Sequence, residues 1–117
     1  MTRDMELVKL ILEKIEKECT DTTGCMISPK SFPDYPASDV IGHAQLILER
    51  GLAKGRMTRG GAAIVRLTWE GQDFLDNAKD SGVWQTALKA AGHLSLGVFQ
   101  RVLENVATLF ATKSIGM

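Results

Sequence analysis

The segment spanning residues 37–75, ASDVIGHAQLILERGLAKGRMTRGGAAIVRLTWEGQDFL, constrains the fold more than any other part of this chain. Its first third repeats apolar residues at helical spacing, which predicts a helix. That helix is expected to begin at Ser38 or Asp39, because both residues are favourable N-caps. Gly51 can take the left-handed conformation that ends a helix. The predicted buried stripe consists of Val40, Ile41, Ala44, Ile47 and Leu48.

The residues after Gly51 predict a β-hairpin. Leu52 and Ala53 lead into a first strand, and residues 63–67 form the returning strand. Between them, the sequence TRGG at residues 58–61 predicts the turn, because paired glycines supply positive φ angles at little cost. Thr68 is then expected to cap a further helix that carries Trp69, Phe74 and Leu75.

A helix, a hairpin and a second helix in this order form the second half of a winged-helix domain. A standard helix-turn-helix has one more helix before the hairpin. In its place, residues 29–36 (PKSFPDYP) hold all three prolines of the chain and cannot form a regular helix. Either this loop replaces the missing helix or residues 31–35 make a single turn there. Residues 25–28 could form a short strand that pairs with the hairpin.

The flanking segments predict further helices. Residues 4–18 form an amphipathic pattern with Asp4 as its N-cap, and helices are expected at residues 83–91 and 95–113. The predicted fold class is therefore mainly α with a small β-hairpin. We expect one winged-helix-like domain over residues 1–117, in which residues 80–117 form a C-terminal helical extension. The predicted core includes Leu12, Ile15, Ile47, Leu48, Val65, Trp69 and Phe74.

Composition and motifs exclude several classes of function. The net charge is zero, which argues against a generic polyanion binder. No apolar run is long enough to span a membrane and no export signal opens the chain, so we expect a cytoplasmic protein. No catalytic, cofactor-binding or metal-binding motif is present, so neither an enzyme nor a cofactor is expected. Cys19 and Cys25 are expected to be thiols rather than a disulfide.

Positive charge is concentrated in one stretch. Residues 50–66 contain five basic and no acidic residues, whereas acidic residues lie on both sides of this stretch. Wings of winged-helix proteins commonly contact phosphates through Lys and Arg. A solvated basic loop is the alternative. The candidate nucleic-acid-binding residues are His43, Gln45, Arg50, Lys54, Arg56 and Arg59.

Three segments, TRDMELVKLILEKIEK, HAQLILERGL and RLTWEGQDFLDNAKDSGVW, together resemble a family of short proteins from phage, prophage and bacterial genomes. That family is catalogued only as a domain of unknown function. The resemblance implies a winged-helix-like fold and a mobile-element setting, and it implies no catalytic residues. HAQLILERGL and LTWEGQDFL also resemble the recognition-helix and post-wing segments of bacterial winged-helix regulators.

The expected function is thus non-enzymatic binding of double-stranded DNA by a transcriptional regulator of a phage or prophage. The alternative is a protein-binding module on the same fold that engages a host or phage protein. The wide apolar stripe of the last helix predicts a homodimer, with closure of the domain against the first helix as the alternative. The candidate dimer-interface residues are Val98, Phe99, Val102, Val106 and Phe110.

Overall fold

The computed structural model describes residues 3–19 and 24–115, with side chains up to residue 111. The predicted class is confirmed at the level of a mainly helical chain with a small antiparallel sheet of three strands. The elements are α1 (Met5–Glu18), β1 (Cys25–Ile27), a 3₁₀ turn (Pro29–Ser31), α2 (Ala37–Glu49), β2 (Ala53–Thr58), β3 (Gly61–Leu67), α3 (Trp69–Ala78), α4 (Ser81–Ala91) and α5 (Leu96–Ile115).

The hairpin of β2 and β3 forms where the sequence predicts it. Thr58 pairs with Gly61 across a turn made by Arg59 and Gly60. Gly61 has a φ of 153°, and a Cβ at this position would lie 2.0 Å from the carbonyl oxygen of Ile27. The second glycine of the turn is therefore required by the backbone of β1, which packs directly against it.

The predicted third strand is also confirmed. β1 pairs antiparallel with β3, so the strand order is β1-β3-β2. Alternate residues of β3 face opposite sides of the sheet, as the pleat requires. Ala62 and Ile64 are buried against the helices, whereas Val65 lies on the opposite, exposed face together with Met26 of β1.

A single 3₁₀ turn occupies the position of the helix that the proline-rich segment lacks. It lies at Pro29–Ser31 rather than at residues 31–35. The N–H of Tyr35 then bonds to the carbonyl of Phe32 at 3.1 Å, and both aromatic side chains are partly buried against the core. The loop is thus held by packing and by local hydrogen bonds.

The predicted start of α2 was wrong. Pro36 is the N-cap, and its carbonyl oxygen accepts the N–H groups of Asp39 and Val40 at 3.0 and 3.2 Å. Because this carbonyl already provides the first helical acceptor, Ser38 lies in the first turn instead of capping it. The predicted end is confirmed, since Gly51 has a φ of 69°.

The core prediction was right for most residues. Leu12, Ile15, Ile47 and Phe74 are buried, and Leu48 is half-buried. Two residues were placed wrongly. Val65 is 48% exposed because it faces away from the helices, and Trp69 is 82% exposed. Trp69 is the first residue of α3, and its side chain does not share the buried side of that helix with Phe74 and Leu75.

Helix α5 closes the domain against α3 and α4. Phe99 is fully buried, with its ring centroid 5.3 Å from that of Trp84 and 6.0 Å from that of Phe74. The alternative to a homodimer predicted closure of the domain against the first helix, whereas α5 packs mainly on α3 and α4. Within residues 3–19 and 24–115, no helix combines the length and the hydrophobicity needed to cross a membrane.

Candidate nucleic-acid interface

The hairpin presents three exposed cationic side chains. Lys54 and Arg56 lie on β2, which is an edge strand, and Arg59 lies at the turn. Lys54 and Arg56 border the same groove, so they share one face of the sheet. Because residues 50–66 include no acidic residue, these charges are not neutralised by a neighbour in sequence.

A bulge in β3 lies opposite these cations, because Val65 is the extra residue between Arg66, which pairs with Lys54, and Ile64, which pairs with Gly55. The pairing of β2 with β3 shifts register between Lys54 and Gly55. A Cβ at Gly55 would lie 2.3 Å from the carbonyl oxygen of Ala63, so the strand can approach β3 this closely only with glycine. Gly55 thus lets β2 lie close to β3 between Lys54 and Arg56.

Two candidate residues at the C-terminal part of α2 are exposed but already have contacts within the domain. The side-chain amide of Gln45 donates to the carboxylate of Glu49 at 3.3 Å. Arg50 extends towards α5, because a Cβ at Gly97 would lie 3.0 Å from its Cζ atom. The outer face of α2 is therefore polar, with an acidic residue beside the exposed amide.

His43 is not part of any nucleic-acid interface, because its side chain is fully buried. Its Nε2 accepts the backbone N–H of Asp4 at 2.8 Å, and its Nδ1 lies 2.7 Å from the carbonyl oxygen of Asp39. The ring therefore carries its proton on Nδ1. The sequence contained the signal: residues 40, 43, 44 and 47 follow the spacing of one buried helical face.

The candidate dimer residues divide between core and surface. Phe99 and Val106 are buried among α3, α4 and α5, so their assignment to an interface was wrong. Val102 is half-buried. Val98 is 44% exposed and Phe110 is 37% exposed, so these two remain accessible on α5.

The exposed face of the sheet contains a groove that the sequence alone did not reveal. Its volume is about 840 Å³, and Met26, Ala63 and Val65 are among the residues that line it. Lys54 and Arg56 border it on the β2 side. The groove exists because β1 pairs with β3 and so places Met26 beside Ala63, which no local pattern indicates.

Cys19 and Cys25 are joined by a disulfide, with their Cα atoms 4.9 Å apart, so the expectation of thiols was wrong. The disulfide forms because the end of α1 lies beside the start of β1. The sequence of residues 19–25 did not indicate that these two elements are close. In the described part of the chain, no group of three His, Cys, Asp or Glu side chains could hold a metal ion.

An ionic contact joins α1 to α3 away from the hairpin. The carboxylate of Glu16 accepts the side-chain amide of Gln72 at 2.6 Å and the ammonium of Lys79 at 3.0 Å. The hydrogen bond from Gln72, followed by that from Lys79, lowers the pKa of Glu16 below its ordinary value. This partly exposed contact links α1 to α3 and to its C-cap.

Comparison with known proteins identifies the family. The profile of a family described as "Hypothetical protein (DUF2513)" matches residues 2–96, which include α2, the whole sheet, α3 and α4. The chain belongs to the DUF2513 family. The predicted resemblance to a domain of unknown function is therefore confirmed at that level.

One relative of the chain is described as an "Uncharacterized protein" of Haemophilus influenzae. It is 27% identical over 114 residues, and the alignment covers 91% of this chain and 95% of that protein. No solved structure matches the chain significantly.

Proposed function

We propose that this member of the DUF2513 family is a non-enzymatic winged-helix protein that binds double-stranded DNA as a transcriptional regulator. The order of its elements supports the winged-helix assignment: α1, β1, a single turn, α2, and the hairpin of β2 and β3. The pairing of β1 with β3 supports it further, because it completes a small sheet behind α2. In this assignment α2 is the recognition helix and the hairpin is the wing.

The observation that carries the proposal is the exposure of Lys54, Arg56 and Arg59 on one hairpin without a neighbouring acid in sequence. Phosphate contacts of this kind dominate the affinity of proteins for DNA, and they release counterions. Since the whole chain has no net charge, affinity depends on this local charge rather than on an overall positive field.

Helix α2 would supply contacts to base edges through Gln45. A glutamine amide can bond to adenine in the major groove. To do so, the amide of Gln45 must break its hydrogen bond to the carboxylate of Glu49. The negative charge of Glu49 would in addition be repelled by the DNA phosphates. We therefore expect modest sequence preference, with most of the affinity supplied by the hairpin. Arg50, which lies against the start of α5, would add a secondary phosphate contact.

A phage or prophage setting is part of the proposal and rests on the resemblance of the three segments quoted above. The second candidate function is a protein-binding module that engages a host or phage protein. The apolar groove on the exposed sheet face favours this candidate, because a DNA-binding wing does not need one.

Fluorescence anisotropy of a labelled random-sequence duplex, titrated with the protein at several salt concentrations, tests the proposal. The expected result is saturable binding that weakens steeply as salt increases. If the protein does not bind the duplex even at low salt, the DNA-binding proposal is wrong and the protein-binding candidate takes its place.

A further inference from the structure

Two surface features of this chain are complementary in chemistry. One is the sheet-face groove, defined by Met26, Ala63 and Val65 with Lys54 and Arg56 at its border. The other is the side chain of Trp69, which is 82% exposed. An exposed apolar groove and an exposed tryptophan are both typical of interaction surfaces.

The groove is apolar and shallow. Met26 is 50% exposed and Val65 is 48% exposed, so both offer apolar surface to a partner. Backbone forms part of the groove, because a Cβ at Gly24 would lie 2.6 Å from the carbonyl oxygen of Ile64. A methionine beside small residues adapts well to an inserted aromatic ring, and sulfur contacts with aromatic rings are favourable.

Two exposed carboxylates follow Trp69 on α3. Glu70 follows it directly and Asp73 lies one helical turn further on the same side of α3, and both side chains are exposed. The exposed start of α3 thus presents two carboxylates next to Trp69, whereas an ammonium and a guanidinium border the groove.

We propose that two copies of this chain associate through a reciprocal contact, in which Trp69 of each copy inserts into the sheet-face groove of the other. In this arrangement Glu70 and Asp73 face Lys54 and Arg56 of the opposite copy. Each insertion removes a large aromatic surface from water and pairs charges at its border.

The groove and Trp69 are joined by a short stretch of chain at the end of β3. Val65 lines the groove, whereas the next residue, Arg66, lines a neighbouring depression together with Trp69. Cys25 lines the groove and Cys19 lines the depression beside Trp69, and a disulfide joins these two cysteines. Only three residues of the chain separate Val65 from Trp69, and a two-fold axis between two copies would make both insertions equivalent.

The lining of the groove favours a protein over a single nucleic-acid strand. Single-stranded nucleic acids are usually held by stacking on aromatic side chains, and no aromatic residue is among those described as lining the groove. The association goes beyond the proposed function and does not depend on it. Lys54 and Arg56 would contact phosphates in the DNA complex and carboxylates in the dimer, so self-association and duplex binding would compete.

The intrinsic fluorescence of the protein tests the contact directly. The chain has two tryptophans, and Trp84 is only 2% exposed, so Trp69 accounts for the solvent-sensitive emission. With increasing protein concentration in the micromolar range, emission is expected to shift to shorter wavelength and quenching by acrylamide to decrease. Emission and quenching that do not change with concentration, with a monomeric mass in sedimentation equilibrium, would overturn the proposal.

Matched variants separate this contact from one through α5. Trp69→Ser is expected to weaken self-association about tenfold or more in sedimentation equilibrium. Leu109→Ser removes a side chain of α5 that is 67% exposed and should leave association unchanged. Loss of association in Leu109→Ser but not in Trp69→Ser would assign the dimer to α5 and overturn the proposal.

Charge reversal tests the predicted orientation. Arg56→Glu should weaken association, because it places a carboxylate opposite Glu70 and Asp73. The double variant Arg56→Glu with Glu70→Arg should restore it in part. All of these substitutions are at exposed positions, so circular dichroism should show an unchanged fold. A double variant weaker than Arg56→Glu alone would contradict the proposed pairing.

Discussion

The imidazole Nε2 of His43 accepts the backbone N–H of Asp4 at 2.8 Å and so joins α2 to the N-terminus of α1. The same Asp4 caps α1, because its carboxylate accepts the N–H groups of Glu6 and Leu7 at 3.0 and 3.3 Å. One buried ring thus orients the residue that begins the first helix. A histidine with no accessible surface here serves the fold and not a ligand.

His43→Ala is expected to reduce the free energy of unfolding by about 2–4 kcal/mol. It leaves the N–H of Asp4 without its partner and creates a cavity beside Val40 and Ile47. Urea unfolding followed by circular dichroism measures the change. His93→Ala, at the exposed histidine, is the control and should unfold like the parent. Equal stability of the two variants would contradict the role of the hydrogen bond.

Phe99→Ala is expected to cost about 3–5 kcal/mol of stability, because the ring is buried between those of Trp84 and Phe74. Val98→Ala, at the neighbouring exposed position, should cost much less. Thermal unfolding of both variants checks the prediction. A small effect of Phe99→Ala would mean that α5 does not close the domain.

Gly61→Ala is expected to destabilise the protein by more than about 1 kcal/mol, because alanine is strained at its φ of 153° and its Cβ would meet the backbone of Ile27. Gly60→Ala is the matched control, since nothing lies within 4 Å of a Cβ built there. The two variants differ by one position in the same turn, so denaturant midpoints compare them directly. If both variants unfold at the same midpoint, β1 does not pack against the turn as described.

The contact of Glu16 with Gln72 and Lys79 predicts a pH dependence. Its pKa is lowered in the folded protein, so the contact stabilises the fold above the ordinary pKa of a glutamate and is lost as pH falls through the folded-state pKa. Carbon-13 NMR titration should show the midpoint of Glu16 rising in Gln72→Ala and, to a smaller extent, in Lys79→Ala. An unchanged midpoint in Gln72→Ala would show that the amide does not act on this carboxylate.

Arg56→Ala and Arg59→Ala are each expected to weaken binding to every duplex tested. Each should also reduce the slope of log affinity against log salt by about 1, as the loss of one phosphate contact requires. Anisotropy titrations measure both quantities. Lys89→Ala removes an exposed lysine of α4 and should leave the slope unchanged. The same change in slope for Lys89→Ala would mean that binding depends on total charge and not on the hairpin.

The sequence by itself determined the features that depend on neighbouring residues. Asp4 caps α1 and Thr68 caps α3, because short polar side chains bond to N–H groups two or three residues away. The turn at residues 58–61 forms because glycine supplies the backbone conformation that a tight hairpin needs. Each of these features involves only a few consecutive residues, so the sequence pattern was sufficient to predict it.

Only the tertiary structure decided which side chains face water. His43 is buried and accepts a hydrogen bond from a residue 39 positions away, and Val65 is exposed because the helices pack on the other face of β3. The groove likewise depends on the pairing of Cys25 with Ile64. Exposure is set by contacts between residues distant in sequence, and an apolar residue type alone does not specify the face on which those contacts form.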